Sequence, residues 1–178
     1  VFGCGPIGLL IVQLAWVSGI TNIVATDKLS WRVEAAKSFG AHQAYVVENR
    51  LEASAFRAAP LKRGVDVAFE VAGEQAAVED AFAAVVPGGK VILTGIPADD
   101  RTSFPAGAAR RKGLTIRLSR RMKHVYPRAI KLWTSGAVDL TGVVSHRFPL
   151  ERTPEAYALN EQYADNVVKI VIDVSQST

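Results

Sequence analysis

Three glycines, Gly3, Gly5 and Gly8, fall in the spacing G-x-G-x-x-G over Gly3-Cys4-Gly5-Pro6-Ile7-Gly8. They stand where a strand-like Val1-Phe2-Gly3 gives way to an apolar helical run from Pro6 to Gly19. Such a bend can hold a pyrophosphate. Gly3 permits the tight turn, Gly5 has no side chain to block the diphosphate, and Gly8 lets the helix approach the sheet. The helix that follows offers free N–H groups and the positive end of its dipole to the anion. Asp27 closes the next β-branched run about twenty residues beyond Gly8. A carboxylate there accepts hydrogen bonds from both hydroxyls of an adenosine ribose and repels a 2′-phosphate, so NAD is expected over NADP. Lys28 and Arg32 are cations able to pair with a phosphate, and Arg32 can equally stack on an adenine face.

Two further loops are expected at carboxyl ends of strands, Val71-Ala72-Gly73 and Thr94-Gly95-Ile96-Pro97. Their small residues would let backbone approach a nicotinamide ribose and carboxamide. Each feature has a plainer reading: a ligand-free tight turn for the glycines, and a turn or helix-capping aspartate for Asp27. His42, His124 and His146 show no metal-ligand spacing. Cys4 is read as facing the phosphate from within the bend. No catalytic residue and no metal ligand is assigned in this chain.

The elements that must position these residues alternate. Helix is expected at Pro6–Gly19, Trp31–Phe39 (Ser30 as N-cap, Gly40 as left-handed stop), Leu51–Ala59 (stopped by Pro60), Gln75–Val86 (ended by Pro87-Gly88-Gly89) and Pro127–Thr134. Strand is expected at Asn22–Thr26, Ala44–Val47, Val65–Val71, Lys90–Thr94 and Leu114–Leu118. This rhythm predicts an α/β doubly wound parallel sheet with helices on both faces. After Gly136 the character changes. Val143–Phe148 reads as extended, Pro154–Asn160 as a short helix and Val167–Val174 as a last strand. Residues 1–138 are therefore expected to form a dinucleotide-binding domain, and 139–178 to belong to a second structural unit.

Composition sets the outer limits. The 178 residues are 49% hydrophobic and 21% charged, with a single cysteine, which rules out an internal disulfide and fits a reducing cytosol. No apolar run is long enough to span a bilayer, and no signal-peptide pattern is present, so no membrane partner is expected. The first residue is Val1, inside a strand-like run, so the chain is expected to be a piece of a longer protein. The net charge is +4. Much of it is concentrated in Arg110, Arg111, Lys112, Arg117, Arg120, Arg121 and Lys123. No aromatic or recognition-helix pattern accompanies these residues, so nucleic acid is not expected.

Taken together, GCGPIGLLIVQLA, Asp27 with Arg32, FEVAG, VPGGKVILTGIP and VVSHRFPLERTPEAY resemble the medium-chain zinc-dependent alcohol dehydrogenases. Within that family the sequence is most similar to the sorbitol (polyol) dehydrogenase branch. The resemblance implies a Rossmann domain of strand order 3-2-1-4-5-6, followed by a C-terminal segment of the catalytic domain. It implies zinc-assisted hydride transfer from an alcohol or polyol to NAD, with zinc ligands that are not in this chain, and a homo-oligomer, dimer or tetramer. Pairing is expected through Thr102–Pro105 or the sixth-strand edge. Residue by residue, it implies that Ile7 touches the pyrophosphate loop, with Pro6 opening the helix beside it. Asp27 and Arg32 would contact adenosine, and Thr94, Gly95 and Ile96 the nicotinamide side. Arg120, Arg121 and Met122 would lie near cofactor, with Arg121 facing a polyol substrate. The branch carries an aromatic residue where this chain has Met122.

Two other readings share part of the pattern. An S-adenosylmethionine-dependent methyltransferase also carries a glycine loop, an acidic residue ending the second strand and a Pro-Gly-Gly like Pro87-Gly88-Gly89. A non-catalytic NAD-sensing module would keep the bend and lose the chemistry.

Overall fold

The computed structural model of the chain describes residues 1–48 and 63–174. The expected helix Leu51–Ala59 lies outside them. The described residues divide between Val125 and Tyr126 into two compact units.

In the first unit the order is α1 (Pro6–Val17), β1 (Val24–Asp27), α2 (Ser30–Ser38), β2 (Gln43–Val46), β3 (Val65–Glu70), α3 (Gln75–Ala84), β4 (Val85–Leu93), α4 (Ala106–Lys112) and β5 (Thr115–Leu118). Every pairing is parallel. Phe2 bridges to Thr26 on one side and to Glu70 on the other. The spatial order is therefore β2-β1-Phe2-β3-β4-β5, which is the expected 3-2-1-4-5-6 when the Phe2 segment is counted as the first strand. The chain winds outward from Phe2 in opposite directions. With right-handed crossovers, α1 and α2 cover one face while α3 and α4 cover the other.

The core beneath β3 and β4 is built from Phe2, Ala68, Val78, Ala81, Phe82, Val85, Val91 and Ala109. Phe82 is fully buried and stacks on Phe104 at 4.7 Å between ring centroids. Burying a side chain of that size is worth about 2–3 kcal/mol. On the opposite face, Leu9 and Val12 of α1 and Val33 and Ala36 of α2 are buried.

Several boundaries differ from the sequence reading, each for a local reason. α2 starts at Ser30 with Leu29 as N-cap and no side-chain cap bond. Asp27 Oδ1 accepts the Leu29 N–H at 2.9 Å, so the aspartate organises this turn and Ser30 does not. Gly40 has the expected left-handed backbone, with φ of +107°. α3 stops at Ala84 and not at Val86. Two β-branched valines precede Pro87, whose ring disfavours helix at Val86, and Val85 instead pairs with Val65. The Pro87-Gly88-Gly89 segment is thus an irregularity inside β4. A Cβ on Gly89 would lie 2.4 Å from Cγ1 of Val85.

α4 was not anticipated: its AGAARRK sequence has no apolar periodicity, and Gly113 ends it in the left-handed conformation. Its last residue, Lys112, reaches back to the carboxyl end of α3. There its Nζ donates to the carbonyls of Phe82, Ala83 and Val85 at 2.9, 2.8 and 2.8 Å. It supplies a cap that α3 lacks in its own last turn, and burial lowers the ammonium pKa.

The second unit comprises α5 (Tyr126–Thr134), 3-10 turns at Thr141–Val143 and Leu150–Arg152, β6 (His146–Pro149), α6 (Thr153–Glu161) and β7 (Ile170–Asp173). β6 and β7 pair in parallel, with His146 opposite Ile170. Ser145 Oγ accepts the N–H groups of Val168 and Lys169 at 2.9 and 3.2 Å and donates to the Lys169 carbonyl at 3.2 Å, fixing the start of this pairing. Among the described residues no helix is long and apolar enough to cross a membrane.

Candidate functional site

The carboxyl ends of β1, of the Phe2 segment, of β3 and of β4 deliver four loops to one edge of the sheet. At the centre is the bend Gly3–Gly8. Gly3 has φ of +100°, and a Cβ there would lie 2.9 Å from the Ala72 nitrogen. A Cβ on Gly8 would lie 1.9 Å from the Gly3 carbonyl oxygen, so α1 lies against the bend as closely as backbone allows. Gly5 is the N-cap of α1 and makes no side-chain cap bond, and Pro6 occupies the first turn. The opening N–H groups of α1 therefore have no competing side-chain acceptor from the cap, which is the arrangement that receives an anion. Ile7 is exposed beside them. Arg32 extends from α2 so that Nη1 stands 3.7 Å from where a Gly5 Cβ would be. This puts the guanidinium beside the bend.

Asp27 closes β1 and is held on both oxygens. Oδ2 accepts the Cys4 N–H at 2.7 Å and Oδ1 accepts the Leu29 N–H at 2.9 Å. Each carboxylate oxygen keeps lone pairs for further donors such as ribose hydroxyls. The aspartate thus locks its own loop to the glycine bend, a role the sequence reading did not include. Cys4 was expected to face the phosphate, and the structure corrects this. Its side chain is fully buried, and Sγ points inward to the Thr26 carbonyl at 3.4 Å. Burial, and then the Asp27 carboxylate, push the thiol up to about 12. It is a packed group, unreactive while folded.

The loops after β3 and β4 interlock backbone to backbone. Val71 donates its N–H to the Phe2 carbonyl at 2.9 Å. A Cβ on Gly73 would fall 2.5 Å from the Ile96 oxygen, and one on Gly95 would fall 2.2 Å from the Gly73 nitrogen. Both loops are organised by Glu70, which is 1% exposed at the end of β3. Its Oε1 accepts the Gly73 N–H at 2.7 Å, and the N–H groups of Ala72, Gly95 and Glu74 also turn toward the carboxylate. Desolvation outweighs these donors and raises its pKa. Its backbone carbonyl accepts the N–H groups of Thr94 and Gly95 at 2.8 and 3.0 Å. Sequence reasoning missed Glu70. The available signal was a second charge, after Asp66, near the end of a mostly apolar strand, VDVAFEV.

Lys28, considered from sequence as a phosphate partner, is ion-paired with Glu74. A cavity of about 800 Å3 adjoins these loops, lined by Glu70, Gly73, Glu74, Gln75, Arg101 and Ser103 among others. Gln75 ties its wall together, donating from Nε2 to the Ser103 carbonyl at 3.0 Å and accepting the Ser103 N–H at 3.4 Å. Arg120, Arg121 and Met122 follow β5 in an exposed segment. The structure therefore brings together Gly3, Gly5, Pro6, Ile7, Gly8, Asp27, Lys28, Arg32, Val71, Ala72, Gly73, Thr94, Gly95 and Ile96 at one edge.

Two alternative chemistries find no footing. Among the described residues no group of three or more His, Cys, Asp or Glu side chains is placed to hold a metal ion. Ser145, His146 and Asp165 line up at 2.8 and 3.2 Å. However, Ser145 Oγ also lies 3.2 Å from the Lys169 carbonyl, and its lone pairs receive the N–H groups of Val168 and Lys169. It is a fastener and not a nucleophile.

Comparison with known proteins follows the same lines. The model of the family described as zinc-binding dehydrogenase matches residues 6–135. A sorbitol dehydrogenase of Bacillus subtilis is 31% identical over 172 residues, covering 97% of this chain and 49% of that relative. An L-threonine 3-dehydrogenase of the same organism is 30% identical over 161 residues, covering 89% of this chain and 46% of that relative. Among solved structures, an alcohol dehydrogenase from Thermus sp. ATN1 superposes with a TM-score of 0.87 at 31% identity, covering 97% of this chain and 50% of that one. The chain thus spans about half the length of the relatives it matches.

Proposed function

Because the chain belongs to the zinc-binding dehydrogenase family, we propose that it is the cofactor-holding part of an oxidoreductase that moves a hydride from an alcohol or polyol to NAD. The observation that carries this reading is the bare bend Gly3–Gly8 at the uncapped start of α1, with the Asp27 carboxylate hydrogen-bonded against it. The cradle fits a dinucleotide. The bend and α1 take the diphosphate, Arg32 adds a cation beside it, and Asp27 takes the adenosine ribose. The interlocked loops Val71–Gly73 and Thr94–Ile96 offer a backbone wall to the nicotinamide half. When bound, the nicotinamide supplies the hydride acceptor. This chain's residues bind and orient it, and the tightly packed loops exclude water from one of its faces.

The remaining assignments belong to the same proposal. Residues 1–138 are the dinucleotide-binding domain, and 139–178 are the C-terminal part of the catalytic domain. Arg120, Arg121 and Met122 line the cofactor and substrate side, with Arg121 facing the hydroxyls of the substrate. Among the described residues no set of side chains is placed to hold zinc, and its ligands are assigned to the part of the protein outside this chain. NAD is preferred over NADP through Asp27. Copies pair through Thr102–Pro105 or the β5 edge, which carries the exposed Leu118. The working compartment is the reducing cytosol. A hydroxy amino acid is the second reading of the substrate, favoured by the similarity to the threonine dehydrogenase. The family match leaves the methyltransferase reading without support.

The test is NAD reduction by the full-length gene product over a panel of alcohols, polyols and threonine, with and without a zinc chelator, paired with dinucleotide titration of Asp27→Ala. Reduction of NAD by a polyol, and loss of the preference for NAD in Asp27→Ala, are expected. Tighter binding of S-adenosylmethionine than of NAD, or an unchanged preference in the variant, overturns the proposal.

A further inference from the structure

Lys28 follows Asp27 directly, and Glu74 is the N-cap residue of α3. Their side chains are ion-paired, each about half exposed. The loops that carry them leave β1 and β3, which flank Phe2 on its two sides. Two strand spacings separate the roots of these loops, about 10 Å, and a lysine arm and a glutamate arm reaching toward each other cover that distance. The ion pair therefore links the loop of Asp27 to the loop of Val71–Gly73, one on either side of the glycine bend.

The charges nearby divide by position. Arg32 stands beside Gly5, at the bend assigned to the diphosphate. Lys28 is the cation adjoining the carboxylate assigned to the ribose, and Glu74 matches its charge. A lysine at that place without such a match is a ready partner for a 2′-phosphate, an anion of about −1.5 to −2 charges. With Glu74 present, the phosphate must displace a carboxylate from Lys28 while lying near a second one, Asp27. An adenosine ribose without the phosphate meets Asp27 and leaves the pair undisturbed.

We propose that Glu74 is a specificity-determining residue, an acidic latch that occupies Lys28 and so turns away dinucleotides bearing a 2′-phosphate. The latch rests on the dinucleotide reading of the bend. An exposed pair of this kind is weak as a brace. Its effect lies in the sign of the charge it presents.

The test is titration of the full chain with NAD and with NADP at one fixed ionic strength, for the wild type, Glu74→Gln and the double variant Lys28→Ala with Glu74→Gln. In Glu74→Gln the ratio of the two dissociation constants is expected to move toward NADP by about tenfold, the size of one charge-assisted contact to phosphate. The double variant should return most of that gain, and added salt should shrink it. A ratio that stays put in Glu74→Gln while NAD still binds overturns the latch. So does a shift that survives removal of Lys28, since the lysine is then not the group being released. A wild-type chain that binds neither dinucleotide instead refutes the underlying reading, and the latch falls with it.

Discussion

Glu70 offers the most demanding check of how the site is held together. Replacing it with alanine removes the acceptor for the Gly73 N–H and the carboxylate toward which the N–H groups of Ala72 and Glu74 turn, while Gly95 keeps the Glu70 backbone carbonyl. A buried donor left without its partner costs about 1–3 kcal/mol. The affected turns lie at the edge of the sheet, where water replaces part of the loss, so Glu70→Ala is expected to cost about 3–4 kcal/mol. Glu70→Gln keeps one oxygen and sets an NH2 group against N–H donors, for a cost of about 1–2 kcal/mol.

The sign of the pH dependence sharpens the comparison. Burial raises the Glu70 pKa above its ordinary 4.5. The folded protein then binds a proton more tightly than the unfolded chain does, so this group favours folding most below 4.5. That contribution falls as pH climbs through the folded-state value. Glutamine has no such dependence. Urea unfolding of wild type and Glu70→Gln at several pH values from 5 to about 8 should show the wild-type advantage shrinking as pH rises. An advantage that is flat or grows with pH would mean that desolvation does not dominate at Glu70, and the account of the loops would be wrong.

The other expectations are more direct. Gly8→Ala places a methyl 1.9 Å from the Gly3 carbonyl oxygen, which must push α1 off the bend. NAD affinity by calorimetric titration should fall at least about tenfold, and unchanged affinity would contradict the close approach. Lys112→Met strips three carbonyls at the end of α3 of their donor and should lower stability by about 1–2 kcal/mol in thermal unfolding. No loss would show that the lysine is decorative. Cys4, buried and with its thiol pushed up to about 12, should resist aromatic disulfide reagents at pH 8 until denaturant is added. Stoichiometric labelling of the native chain would refute its inward orientation.

The winding of the sheet and the bend were legible in the sequence because both depend on local rules. Alternating βα periodicity fixes the parallel order, and Gly3 and Gly8 are each required by a backbone contact that a side chain would violate, whereas a Cβ at Gly5 would meet only Arg32 Nη1 at 3.7 Å. What escaped the sequence reading depends on contacts between distant segments. Glu70 looks like a polar residue in a strand until the loops after β3 and β4 fold over it. The inward turn of Cys4 follows from Asp27 capturing its N–H across 23 residues of chain. α4 was invisible because its seven residues carry no apolar stripe. It is held by burial of Ala109 and by the reach of Lys112 to α3. Arg120, Arg121 and Met122 are placed by resemblance alone, and the described contacts neither gather them at the bend nor oppose their proposed role.

The double bridge of Phe2 has a thermodynamic consequence. Two half-sheets, β1 with β2 and β3 with β4 and β5, are joined along the Phe2 seam. It is stitched by the Phe2 N–H to the Phe69 carbonyl at 2.8 Å, the Gly3 N–H to the Thr26 carbonyl at 2.8 Å and the Val71 N–H to the Phe2 carbonyl at 2.9 Å. A ligand lying over the bend would clasp Asp27 on one half and the Gly73–Gly95 contact on the other, adding its own binding energy to that stitching. Amide protons along the seam should therefore slow their hydrogen exchange on ligand addition more than those at the outer strands β2 and β5, because occupancy taxes the opening of the seam itself.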